Sequence, residues 1–123
     1  MGAGRRIPGG DAMAKKLVKR FTECEFYQEG GRNAYYKIIP QGTMGNVAAG
    51  YVVVKGPETT PANAHTEWEQ VYLVVGGSGT LVLGGKRHKV ERGMIARIPL
   101  KTEHYVEVGK GETLEYIYVN RYL

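Results

Sequence analysis

The sequence predicts an all-β domain, on three observations. From about residue 25 onward the chain is a series of short runs rich in β-branched and aromatic residues, each bounded by glycine, proline or a polar pair. Eighteen glycines, mostly between those runs, supply turn conformations that other residues resist. No stretch after residue 30 keeps an apolar helical period for three turns, so helix is expected to be minor.

Taken in order, the first 12 residues, MGAGRRIPGGDA, have no hydrophobic period and read as a disordered leader or an extension before a second possible start at Met13. Residues 11 to 21 have room for one helical turn. Then come YYKIIP, GYVVVKG, VYLVV, TLVLGG, HKVERG, MIARIP, HYVEVG and TLEYIYV, each read as a strand. The clusters GGSG and GTMGNVAAG match no phosphate-binding pattern and are read as turns. With 123 residues there is room for one domain, placed at residues 21–123 behind a flexible basic leader at 1–20. Many short strands in a small chain suit a sandwich or a closed barrel, and closure removes exposed strand edges.

The net charge of +5 is confined to the leader, where six basic side chains face Asp11 alone, so residues 21–123 are net neutral. No basic patch interleaved with aromatics is visible in the body, so no nucleic-acid partner is expected. No apolar run approaches the roughly 18 residues that span a bilayer, so no membrane partner is expected either. Cys24 is the only cysteine, which excludes a disulfide framework and fits a cytoplasmic protein with a buried thiol.

The stretch PANAHTEWEQVYLVV concentrates the candidate chemistry. Asn63, His65, Glu67 and Glu69 share parity and would project to one face of a straight strand. Asn63 and Glu69 would then lie about 20 Å apart, too far for one ion. Asn63 and His65, about 7 Å apart, could share one. Glu69 could join only if the chain reverses near Thr66 to Trp68. His104 opens a later strand and supplies a second imidazole. Two imidazoles and a carboxylate would suit an iron facial triad or catalytic zinc.

These residues resemble the two motifs of the cupin superfamily. The first runs H-x-H, three or four residues, E, six residues, G. Here it meets Asn63, His65, Glu69 and Gly76. The second runs G, five residues, P, and H five positions on, and meets Gly93, Pro99 and His104. The resemblance covers roughly residues 35 to 120. It implies a double-stranded β-helix barrel of the jelly-roll kind, and metal-ligand roles for His65, Glu69 and His104, with Asn63 in place of the family's first histidine. The implied cofactor is one divalent ion: iron, manganese, zinc or nickel. Glycine is usual where Lys101 stands, so that turn is expected to differ.

Glu67 reads first as a turn residue at the barrel mouth and Tyr51 first as packing, and these two are the candidates for proton transfer. By parity with Glu69, Val71 and Leu73 are expected to face inward and Tyr72 outward; from His104, Val106 and Val108 inward and Tyr105 outward. His88, Glu103 and Arg97 are expected at the surface. The chain is thus expected to be a metal-dependent enzyme of dioxygenase, isomerase or lyase type acting on a small polar molecule, and a homodimer. A sugar or sugar-phosphate isomerase and a non-catalytic metabolite- or metal-binding module are the alternatives.

Overall fold

The computed structural model describes residues 16–29 and 32–123. Expectations for residues 1 to 15 lie outside them. After a single 3-10 turn, Phe21–Glu23, every element is a strand: β1 (Phe26–Glu29), β2 (Asn33–Met44), β3 (Val47–Lys55), β4 (Glu58–Thr59), β5 (Trp68–Leu83), β6 (Lys86–Glu91), β7 (Ile95–Ile98), β8 (His104–Val108) and β9 (Thr113–Tyr122). All pairings are antiparallel. They run in the order β1-β2-β3-β9-β5-β8-β4, with β6 and β7 also on β5. The sheet curls into the jelly-roll barrel expected of the sequence.

β5 organises the barrel. Its first half pairs β7 and β9, and its second half pairs β6 and β8. The expected strands VYLVV and TLVLGG are therefore one strand, and GGSG is its bend, not a turn. The reason is local. The register with β9 shifts between Val74 and Gly76, and Gly77 takes φ 70°, where a Cβ would stand 1.6 Å from the Thr113 carbonyl oxygen. A bulge beside a left-handed glycine re-aims a strand without reversing it.

Inward positions at one end are aliphatic. Val52, Val54, Val74, Leu81, Val106, Val108 and Leu114 are all buried and form one cluster. Each such side chain contributes about 1.5–3 kcal/mol relative to exposure. Tyr72 and Tyr116 stack with centroids 4.5 Å apart and divide this core from the other end. Cys24 is buried and free, and Arg97, Glu103 and His88 are exposed. On the outer face Val71, Leu73, Ile95 and Val119 are exposed.

Candidate functional site at the open end of the barrel

Beyond the tyrosine pair the interior changes character. A cavity of about 190 Å³ opens there, lined by side chains from the loop before β5 and from β1, β2, β5, β8 and β9. Asn63 pairs as an isolated bridge with His104, its N–H donating to the His104 carbonyl at 3.1 Å and its carbonyl accepting the His104 N–H at 2.9 Å. That bridge brings the two remote segments together. The imidazoles of His65 and His104 approach with centroids 4.9 Å apart.

Each ring is fixed by its neighbours. His104 is buried, and its Nδ1 lies 3.0 Å from the Thr102 carbonyl oxygen. A carbonyl only accepts, so Nδ1 carries the proton and Nε2 keeps its lone pair. His65 stacks on Trp68 at 4.2 Å. Burial, and then the neighbouring His104, hold the His65 imidazole below its ordinary pKa, which favours the neutral form. The His65 carbonyl accepts the Lys101 N–H at 2.7 Å. Lys101 itself stands at φ 60°, the left-handed conformation that glycine adopts at no steric cost.

β5 and β9 add an amide pair. Gln70 Nε2 donates to Asn120 Oδ1 at 2.8 Å, which turns Gln70 Oε1 away from Asn120. Gln70 is only 8% exposed, and this oxygen is buried without a hydrogen-bond partner. Such an acceptor costs about 1–3 kcal/mol unless something supplies a proton or a positive charge. Tyr72 and Tyr116, stacked at 4.5 Å, form the floor of the cavity. Burial pushes both phenols up, and Tyr118 to about 12.

The structure brings Asn63, His65 and His104 to this cavity and places the other candidates elsewhere. Glu69 is corrected: its carboxylate lies on the outer face, with Oε1 accepting from Arg121 at 3.2 Å. The inward set on β5 is Gln70, Tyr72 and Val74, so the expected parity of Val71, Leu73 and Tyr72 is inverted. The chain bends at Thr66 and Glu67 without folding Glu69 back beside His65. Tyr51 is also corrected. It shares the outer face of β3 with Val53, donates to Glu115 Oε1 at 2.6 Å and is stacked at 3.8 Å by Phe21. Glu67 is exposed, does not line the cavity, and meets the rest of the fold by accepting the Leu123 N–H through its carbonyl. Val106 and Val108 do face inward. Among the described residues no three His, Cys, Asp or Glu side chains cluster; the residues that line the cavity with His65 and His104 include the amides Asn63, Gln70 and Asn120.

Gln70 and Asn120 were not among the candidates, and Tyr72, Tyr116 and Tyr118 read first as packing. A signal for Gln70 was present. The first motif allows four residues after the histidine as well as three, and with four its acid position is Gln70 and its glycine Gly77. Only Gly77 needs to be glycine: a Cβ on Gly76 would meet Glu115 at an ordinary 3.5 Å.

Comparison with known proteins agrees with this architecture. The chain is similar to the polyketide cyclase RemF from Streptomyces resistomycificus, at 26% identity over 85% of this chain and 80% of that one, with a TM-score of 0.71. A predicted oxalate decarboxylase from Thermotoga maritima shares the fold at 15% identity, over 87% of this chain and 100% of that one, with a TM-score of 0.79. So does a Cupin 2 conserved barrel domain protein from Salinispora arenicola, at 16% identity, 86% and 88% coverage and a TM-score of 0.72. No curated protein matches the chain. The family described as "Cupin domain" matches residues 50–120, more than half of the 123 residues, and the chain therefore belongs to the cupin family.

Proposed function

We propose that the chain is a small cupin enzyme that holds one divalent metal ion at the open end of its barrel and acts there on a small polar molecule. The buried, unpartnered Gln70 Oε1, on a residue that lines the same cavity as the His65–His104 pair, carries this reading. Two imidazole nitrogens and this amide oxygen, with the Asn63 amide lining the same space, form a neutral nitrogen–oxygen donor set. Such a set suits iron, manganese, zinc or nickel, and it binds more weakly than one containing a carboxylate. The ion would supply Lewis-acid polarisation of a substrate oxygen.

The chain's own residues set up the chemistry. Thr102 holds the tautomer of His104, and Asn120 holds the orientation of Gln70. Tyr72 lines the cavity, and burial keeps its phenol protonated, so it would have a proton to offer a substrate oxygen. The stacked phenols close the floor against water from below. Dioxygenase, isomerase and lyase chemistry all remain compatible with the site, and the polyketide cyclase likeness adds ring closure to that group. A metabolite-binding module is the second reading, favoured by the lack of any carboxylate among the described residues lining the cavity.

The proposal extends to a cytoplasmic homodimer, with the exposed Val71, Leu73, Ile95 and Val119 as its apolar contact. Among the described residues no helix is long and apolar enough to cross a membrane.

Metal analysis of protein purified without supplementation tests the reading. About one first-row ion per chain is expected in the wild type and in Glu69→Ala, falling about tenfold or more in His104→Ala and His65→Ala. Unchanged metal content in both histidine variants would sink it.

A further inference from the structure

The two imidazoles of the cavity are held in different ways. His104 opens β8, and the Thr102 carbonyl oxygen pins its ring, 3.0 Å from Nδ1. His65 lies in irregular backbone between the Asn63 bridge and the start of β5. Its carbonyl is held by the Lys101 N–H at 2.7 Å. Among the described residues no hydrogen bond reaches its ring. A ring free to turn must be ordered when anything binds it, which weakens binding. What the His65 ring meets instead is Trp68, the only tryptophan of the chain, with centroids 4.2 Å apart and planes at 23°. The His104 ring stands edge-on to it at 4.9 Å and 64°.

Trp68 is itself firmly placed. It opens β5 opposite Tyr122 of β9, the two rings 5.1 Å apart. Tyr122 is tied in turn to the turn between β2 and β3. Its N–H donates to the Asn46 carbonyl at 2.8 Å, and its own carbonyl accepts Asn46 Nδ2 at 3.1 Å. Strand register is thus passed through one indole to a side chain in a loop. The indole also has a cost: Trp68 Nε1 is buried without a hydrogen-bond partner. A phenylalanine would be apolar there without stranding a donor. What the indole adds is the broad face that His65 covers.

We propose that Trp68 is a positioning residue: by stacking, it holds the His65 ring toward His104, as the Thr102 carbonyl holds the ring of His104. The consequence for an ion rests on the metal reading above; the arrangement of the rings does not.

Nuclear magnetic resonance of the metal-free full chain, at about pH 8 and so above the ordinary histidine range, reads the ring directly. In the wild type the His65 ring protons should be shifted upfield by the indole face and should show a nuclear Overhauser contact to the His104 ring. Trp68→Leu keeps an apolar side chain but offers no face, and both signatures should vanish. Trp68→Phe restores a flat ring and should keep them. Zinc titration by calorimetry should show affinity lower by about tenfold in Trp68→Leu and within about threefold of the wild type in Trp68→Phe. Wild-type His65 ring protons at their ordinary positions overturn the proposal, whether or not either variant folds. So does a ring contact that survives in Trp68→Leu or is lost equally in Trp68→Phe, and so does zinc bound as tightly by Trp68→Leu as by the wild type. If the wild type binds no zinc while the ring signatures behave as expected, the metal reading falls and the positioning of His65 stands.

Discussion

The two ends of β5 use one strand for opposite purposes. Toward its second half, Val74 and Leu81 pack with Val52, Val54, Val106 and Leu114 into an aliphatic core. At its first half, the same alternation points Gln70 and Tyr72 into a cavity of amides, phenols and imidazoles, one of whose acceptors is left unpaired. The open end gives up stability to keep polar groups available, which is the pattern of a site.

Substitutions should separate the two ends. Leu114→Ala, at the centre of the closed end and 1% exposed, should cost about 2–5 kcal/mol in denaturant unfolding. Gln70→Met should behave differently. It leaves the Asn120 oxygen without its donor but removes the orphan Gln70 oxygen, so the two costs offset and stability should change by no more than about 1 kcal/mol while metal and ligand binding are lost. A large loss of stability in Gln70→Met would mean that the amide is structural, and the contrast would break.

Gly50 sharpens the boundary. A Cβ there would lie 2.3 Å from the Tyr118 ring, so the glycine is the space that ring occupies. The ring is the part free to give way. Gly50→Ala should therefore displace Tyr118 from the cavity at about 1–3 kcal/mol, measurable by ligand affinity and by the ring's aromatic resonances.

Alkaline titration reads the cavity phenols directly. Tyr118 is raised to about 12, chiefly by burial, from an ordinary 10.0. The folded state thus holds the proton more tightly than the unfolded chain. Its stabilising contribution is intact below about pH 10 and is lost as pH climbs toward 12. Phenolate absorbance should show exposed tyrosines ionising first and the cavity set only as the fold gives way. The smallest effect belongs to the loop. Lys101→Gly relieves a left-handed lysine and should raise stability by up to about 1 kcal/mol, with the Lys101 N–H bond to His65 preserved.

The barrel was legible in the sequence because β-branched runs and glycine punctuation are local signals, and the motif spacing joined two distant segments. His65, His104 and Asn63 were reachable for the same reason. Glu69 was misplaced by one residue, and in a strand one residue is the difference between core and solvent. The choice between Glu69 and Gln70 turns on which glycine must be left-handed, a property of the backbone that appears only once β9 lies across β5. The cavity tyrosines were harder still. Tyr116 and Tyr118 share parity, but which face is inner depends on the pairing of β3, β9 and β5, and nothing within one strand states it.

The central claim is that His65, His104 and Gln70 converge as one donor set while Glu69 stays outside it. Zinc titration followed by nuclear magnetic resonance tests this most directly, reading the imidazole nitrogens, the Gln70 side-chain amide and the Glu69 carboxyl carbon in the same sample. Both imidazoles and the Gln70 amide should shift together to a single one-to-one endpoint, with the Glu69 carboxyl unmoved. Imidazoles that stay fixed, or a Glu69 carboxyl that shifts with the metal, would contradict the account.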